Sequence, residues 1–220
     1  MNTLHNYHTH THYSDGSSAP LEYIEEAIRQ GFSTLGFSEH SVLPFENTFA
    51  LKPGSEDTYT SEIRKLRETY SDRIEVLLAL EADYIPNLST GFEKLKQSLG
   101  LDYIIGSVHL VGSSYPDNLW FIDGPKREIY DEGLKQFYND DIRKAVTAYW
   151  HQINDMLENE SFAIIGHLDK IKMHNQGRWF REDEKWYAGL VNETLALIAE
   201  KEVIVEVNTR GIYKGRSDSL

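Results

Sequence analysis

The sequence of 220 residues contains no cysteine. Neither a disulfide framework nor a thiolate metal site can form, so any metal must be held by His, Asp and Glu. No apolar run approaches the ~20 residues of a membrane span, and no basic-then-apolar signal segment opens the chain. From these absences we expect a cytoplasmic protein with no membrane partner.

Basic residues are also few, since 22 Lys and Arg stand against 35 Asp and Glu for a net charge of -13. A field of this sign repels nucleic acid, whose binding needs Lys and Arg to neutralise phosphates. We therefore expect no nucleic-acid partner. An acidic surface explains most of this charge, although carboxylates gathered around bound cations would add to it. Hydrophobic residues make up 40% of the chain, as in a folded globular protein.

Apolar, strand-like runs alternate along the chain with amphipathic, helix-like runs. The pattern predicts strands over residues 4–11, 32–40, 74–84, 101–110, 162–170 and 203–208. It predicts helices over residues 20–30, 58–70, 91–99, 141–160 and 182–201. Repeated strand–helix–strand units indicate a parallel α/β sheet with right-handed crossovers, in a single domain over residues 1–220. Periodicity alone does not decide between an open sheet and a closed barrel.

Residues that can bind metals stand at the ends of the predicted strands. In parallel α/β folds these ends lie on one side, which carries the active site. We therefore expect ligands from distant parts of the sequence to meet in one pocket. The candidates are His8 and His10, Glu39 and His40, Glu81 and Asp83, His109, His167 and Asp169, and Glu206, Asn208 and Arg210.

Three histidines alternate in the stretch HTHTH, which precedes the turn Ser14-Asp15-Gly16. Side chains two apart on a strand share a face, so His8 and His10 can converge on one ion. The turn should carry His12 away, and Asp15 is the better candidate for a further ligand.

The acid Glu81 lies in an apolar run, where an unpaired charge is costly. Either His109 or His167, taken alone, could instead be a histidine buried in the core. This alternative explains the two together less well. Glu39, next to His40, could belong to a helix cap, and we assign it no role.

The segments YHTHTHYSDG, GFSEH, LEADY, DYIIGSVH, IIGHLDKIK and EVNTRG resemble, in order, those of the PHP (polymerase and histidinol phosphatase) superfamily. Within it they resemble the bacterial histidinol-phosphate phosphatases. The resemblance implies a distorted (β/α)7 barrel with up to three divalent metals (Zn, Mn or Fe) at the strand ends. The ligands it implies are His8 and His10 for one metal, Glu81 bridging to a second completed by His109 and His167, and Asp15 and His40 for the third.

The resemblance also implies an activity, the hydrolysis of L-histidinol phosphate to L-histidinol and phosphate in histidine biosynthesis. We expect Glu81, His40 and Arg210 at the reacting phosphate. Candidate substrate contacts are Arg210, Lys170, Trp120 and Asp123. Packing is the alternative role for Trp120 and Asp123, and a solvated surface position is the alternative for Arg210.

The end of the chain departs from the family pattern. The family closes its site with a seventh strand carrying an Asp and a His two residues apart, whereas this chain reads GIYKGRSDSL after Arg210. We therefore expect about six of the seven strands, in a C-terminally truncated domain. Alternative functions are hydrolysis of another small phosphate ester or of nucleic-acid ends, and a catalytically incomplete metal-binding module.

Overall fold

The computed structural model describes residues 3–113, 116–209 and 212. The chain divides into two compact units. The first unit comprises Met1–Ala82 and Thr90–Ile105, and the second comprises Asp83–Ser89 and Gly106–Leu220. No helix within the described ranges is both long enough and apolar enough to cross a membrane.

The first unit is built from alternating strands and helices. Its elements are β1 (Leu4–Asn6), α1 (Pro20–Gln30), β2 (Phe32–His40), α2 (Glu56–Thr69), β3 (Glu75–Asp83), α3 (Phe92–Leu99) and β4 (Tyr103–Ser107). The strand order is β1-β2-β3-β4, and β2 runs parallel to both β1 and β3. The last residue of β3 and the last two of β4 belong to the second unit.

The second unit continues from the end of β4. Its elements are β5 (Leu110–Val111), β6 (Trp120–Phe121), α4 (Arg127–Tyr138), α5 (Ile142–Asn159), β7 (Ile164–Ile165), α6 (Lys185–Lys201) and β8 (Ile204–Val205). Here the strand order is β4-β7-β8, with β7 parallel to β8, while β5 and β6 form a separate antiparallel pair. A 3₁₀ turn over Lys170–Lys172 follows β7.

Local signals explain the best-defined elements. Helix α1 begins with Pro20, whose fixed φ suits the first turn, and ends at Gly31, which adopts a left-handed φ of 82°. Strand β3 is buried over most of its length, as expected of a parallel strand covered on both faces. The predicted bounds of α1 and β2 are confirmed.

Other predicted bounds are wrong. The first strand ends at Asn6 and not at residue 11, because the contacts with β2 beyond it, those of Thr9 with Ser38 and of Thr11 with Glu39, are made largely by side chains and do not continue the strand ladder. The strand predicted over residues 162–170 is only Ile164–Ile165, since the chain then enters the 3₁₀ turn. The run 101–110 divides into β4 and β5, and α4 was not predicted.

The last part of the chain does not test two predictions. Arg210 and most of the segment GIYKGRSDSL lie outside the described residues. The absence of a seventh strand and the truncation of a single domain therefore stay predictions.

Tyr59 joins two strands of the first unit from α2. Its fully buried hydroxyl contacts the carbonyl oxygens of Phe37 on β2 at 2.9 Å and of Ala79 on β3 at 2.8 Å. Tyr59→Phe removes this donor without changing the ring, so we expect a loss of about 1–3 kcal/mol in the free energy of unfolding. Urea denaturation followed by circular dichroism measures it.

Tyr70→Phe is the matched control, because the Tyr70 hydroxyl makes no hydrogen bond to any described residue. It should change the free energy of unfolding by less than about 0.5 kcal/mol. Equal stabilities for the two variants would contradict the bridging role of Tyr59.

Candidate metal centre

The first unit brings His8 and His10 together just beyond the end of β1. Between them, Thr9 is buried, and it is tied to β2 because Ser38 N donates to Thr9 O at 2.9 Å and Thr9 N donates to Ser38 Oγ at 3.2 Å. The two imidazole rings lie 5.0 Å apart, with 3.1 Å between their Nε2 atoms. The alternation in HTHTH thus places both rings at one point, although the strand has already ended.

Glu81 is the centre of this cluster. Its Oε2 atom lies 3.2 Å from His8 Nε2, 3.1 Å from His10 Nε2 and 3.2 Å from His40 Nδ1. The parallel register of β2 and β3 sets His40 opposite Glu81, and the Glu81 side chain is 1% exposed. Atoms that share a cation at about 2.0–2.1 Å lie about 3.0–3.4 Å from one another, as these atoms do.

Asp15 adds a second carboxylate to the cluster. Its Oδ1 atom lies 2.6 Å from His10 Nδ1 and 3.9 Å from His40 Nε2. His10, Asp15 and His40 each offer one ligand atom, and these atoms lie within 4.8 Å of one another, as do those of His8, His10 and Glu81. A carboxylate on His10 Nδ1 also fixes the ring so that Nε2 faces Glu81.

The charges of this cluster favour a positive partner. Burial lowers the pKa of His10, but hydrogen bonds to Asp15 and Glu81, together with the Glu81 charge, outweigh burial and raise that pKa to about 9. The neighbouring His8 has a small opposite effect. Positive charge at this point is therefore stabilised, and a divalent cation can supply it in place of a proton.

The second unit holds a separate pair of imidazoles. His109 and His167, both buried, lie with their Nε2 atoms 3.0 Å apart and their ring centroids 4.8 Å apart. The backbone N–H of His167 donates to Glu206 Oε2 at 2.9 Å. A pair of converging Nε2 atoms is a partial ligand set for a metal.

Asp83, which was predicted only as a residue at a strand end, orients His109. Its Oδ1 atom lies 2.8 Å from His109 Nδ1 and accepts the backbone N–H of His109 at 3.1 Å. This contact fixes the tautomer and turns Nε2 toward His167, as carboxylates do behind metal-bound histidines. The signal available in the sequence was a second acid two residues after Glu81, near the end of the same strand.

One predicted substrate residue, Asp123, lies near His109 and pairs with another, Lys170. Asp123 Oδ2 is 3.2 Å from the Nζ atom of buried Lys170 and 3.9 Å from His109 Nε2. The structure corrects the substrate contact predicted for Trp120. This side chain is fully buried and packs on Tyr130, whose carbonyl accepts its indole N–H at 2.9 Å. Trp120 therefore belongs to the core and not to a substrate surface. The position of Arg210 lies outside the described residues.

His12 does not join the cluster around Glu81. It is exposed, and its ring is tilted by 31° against that of Tyr13, with centroids 4.5 Å apart. Its backbone N–H donates to Ser18 O at 2.9 Å, where the chain has already turned.

Comparison with known families decides the class of protein. Residues 6–210 match the PHP domain family. The chain belongs to this family. A protein of Deinococcus radiodurans named as a probable histidinol-phosphatase is 28% identical over 172 residues, which cover 77% of this chain and 62% of that protein. The chain thus spans less than two thirds of that relative's length.

Two solved structures share the fold. A candidate histidinol phosphatase of Listeria monocytogenes has a TM-score of 0.80 at 18% identity, covering 97% of this chain and 85% of that one. The histidinol phosphate phosphatase of Lactococcus lactis, solved with zinc, L-histidinol and phosphate, has a TM-score of 0.61 at 23% identity, covering 94% of this chain and 73% of that one. Together with the family match, they confirm the predicted α/β fold of PHP type.

The donor atoms of this PHP domain fit divalent cations. The described clusters offer imidazole nitrogens and carboxylate oxygens, which suit zinc, manganese and iron. His8, His10 and Glu81 can hold one cation, and the ligand atoms of the group His10, Asp15 and His40 are equally close. The bridging role that the family resemblance implies for Glu81 stays a prediction.

Glu81→Gln tests the centre of the first cluster, because it keeps the side-chain shape and removes the charge shared by three imidazoles. We expect at least a tenfold loss of zinc affinity, measured by titration of the metal-stripped protein and by elemental analysis. Glu75→Gln, at the exposed start of β3, is the matched control and should bind zinc as the unaltered chain does. Full zinc content in Glu81→Gln would refute the assignment.

The variants His12→Ala and His10→Ala distinguish the zinc-binding roles of two neighbouring histidines in one motif. We expect His12→Ala to bind zinc within a few-fold of the unaltered chain, because its ring lies away from Glu81. His10→Ala should weaken zinc binding by at least tenfold, since it removes a nitrogen 3.1 Å from Glu81 Oε2. Zinc titration in parallel measures both, and equal losses would show that His12 is also a ligand.

Proposed function

We propose that this PHP domain is a metal-dependent phosphomonoesterase that hydrolyses L-histidinol phosphate to L-histidinol and phosphate. The observation that carries the proposal is the convergence of His8, His10 and His40 on one buried oxygen of Glu81. Such a ligand set is suited to cations that act on phosphate esters. The choice of substrate rests on the names of the relatives and on the L-histidinol and phosphate bound in the Lactococcus lactis structure.

We assign the metal ligands as His8, His10, Asp15, His40, Glu81, His109 and His167. Bound divalent cations would supply charge that offsets the phosphoryl oxygens and lowers the pKa of a coordinated water. Glu81 keeps three imidazoles facing one point, and Asp83 keeps His109 Nε2 turned toward His167. Because these carboxylates orient the imidazoles in advance, little rearrangement of the chain would be needed when the cations bind.

Lys170 and Asp123 are the substrate contacts that the geometry of the second unit favours. The buried Lys170 ammonium pairs with Asp123, whose carboxylate also lies near His109, and there it would donate hydrogen bonds to a phosphoryl oxygen. Asp123, which is 18% exposed, would accept from the substrate's ammonium group on its open side. Arg210 and His40 at the reacting phosphate stay predictions.

Several finer features belong to the same proposal. Zinc is favoured over manganese and iron by the zinc in the Lactococcus lactis structure. A place in histidine biosynthesis follows from the proposed substrate. The cytoplasmic location and the absence of nucleic-acid and membrane partners stay predictions from composition.

Phosphate release tests the function directly. The metal-stripped chain should release no phosphate, and added zinc or manganese should restore release from L-histidinol phosphate in preference to nucleotides and sugar phosphates. The physical reason is that the imidazole and carboxylate clusters act only through bound cations. A colorimetric phosphate assay across this panel measures the preference.

Each other outcome has a clear meaning. Release mainly from a nucleotide or a sugar phosphate would replace the substrate and keep the reaction class. Full metal content with no release from any ester would refute the enzyme and favour a metal-binding module. Release that persists without metal would refute the metal-dependent mechanism.

A further inference from the structure

Glu39 is a buried carboxylate to which the proposed chemistry gives no role. It precedes His40 at the end of β2 and is 0% exposed. Its oxygens accept the backbone N–H of Thr11 at 2.9 and 3.1 Å, the Thr11 hydroxyl at 2.7 Å, and the Ser14 hydroxyl in a short hydrogen bond. All these donors come from one loop, which runs from Thr11 to Gly16.

A charge this deeply buried is costly unless it is hydrogen-bonded. Hydrogen bonds to a carboxylate are roughly twice as strong as those between neutral groups, and Glu39 receives them from one loop segment only among the described residues. The loop therefore stabilises Glu39, and Glu39 in turn fixes the conformation of the loop.

The loop closes on itself around the carbonyl of Thr11. The backbone N–H groups of Ser14 and Gly16 donate to Thr11 O at 3.1 and 3.0 Å. Gly16 packs so tightly on His10 that an added Cβ would lie 2.3 Å from His10 O, so only glycine fits there. This closure is what brings the Asp15 carboxylate to 2.6 Å from His10 Nδ1.

His10 has an anchor of its own that does not involve Glu39. The preceding residue, Thr9, is held to β2 by two hydrogen bonds with Ser38. The turn that carries Asp15 is instead tied to β2 through Glu39, which accepts the hydroxyl of the preceding residue, Ser14. Loss of Glu39 should therefore disturb Asp15 more than His8 or His10.

We propose that Glu39 is a positioning residue that holds the Ser14-Asp15-Gly16 turn so that the Asp15 carboxylate faces His10 and His40. It thereby sets the affinity of that group for a divalent cation. The proposal rests on the metal-binding part of the proposed function and is independent of the substrate.

A double-mutant cycle on zinc affinity tests the proposal. Glu39→Gln keeps the size of the side chain but turns one acceptor into a donor that faces the donors of Thr11 and Ser14. It should weaken one class of zinc site by about 10–100-fold, the range seen when a residue behind a metal ligand is lost. Because Glu39 acts through Asp15, Glu39→Gln should have little further effect in an Asp15→Asn background.

Two more variants keep the test decisive. Glu62→Gln is the matched control, because Glu62 contacts the same loop through the Tyr13 hydroxyl at 2.5 Å and should leave zinc affinity unchanged. Ser14→Ala removes a single donor to Glu39, and should weaken zinc binding in the same direction by a smaller factor. Circular dichroism identifies any variant that fails to fold, and Ser14→Ala decides the question if Glu39→Gln is one of them.

The outcomes separate this proposal from the proposed function. Unchanged zinc affinity in folded Glu39→Gln, or in Ser14→Ala where Glu39→Gln does not fold, would overturn the positioning role. Full additivity of Glu39→Gln and Asp15→Asn would overturn it too, since Glu39 would then act through other ligands. Failure of the unaltered chain to bind zinc would refute the metal-binding function itself.

Discussion

The negative charge of Glu81 is the constraint on which the first cluster depends. This carboxylate lies inside a parallel sheet, where an isolated charge would be unstable, and three imidazole nitrogens at 3.1–3.2 Å compensate it. The β2–β3 register brings one of the three, His40, beside it. A slip of one residue would turn either side chain to the opposite face, so the pairing of two strands and the binding of a cation share one geometric requirement.

Two other buried acids, Glu39 and Asp83, are also compensated by groups from other segments of the chain. Each lies at the end of a strand, and each has donors from a segment that follows another strand. Glu39 receives the loop that carries Asp15, and Asp83 receives the backbone and ring of His109. The three buried acids therefore have two kinds of role. Glu81 faces the imidazoles that can bind a cation, whereas Glu39 and Asp83 hold the segments that carry other candidate ligands.

The sequence predicts those features whose causes are local. Pro20 and Gly31 bound α1 correctly because they act on their own backbone, and His8 and His10 converge because Thr9 preserves the alternation of the motif. Helix α4 was missed because its packing depends on a distant residue: a Cβ on Gly133 would lie 2.1 Å from the indole of Trp120. The role of Asp83 was equally hidden, since spacing alone does not tell a cation ligand from an acid that orients a histidine.

The shortness of β7 has a consequence for the time scale on which the second unit opens. The backbone hydrogen bonds that join the surroundings of β7 to β8 include those from Ile204 N to Ala163 O and from Glu206 N to Ile165 O, each at 3.0 Å. The amides of a strand only two residues long exchange their hydrogens through small local openings, well below the free energy of global unfolding. His167 follows this strand directly, so cation binding in the second unit would slow hydrogen–deuterium exchange there.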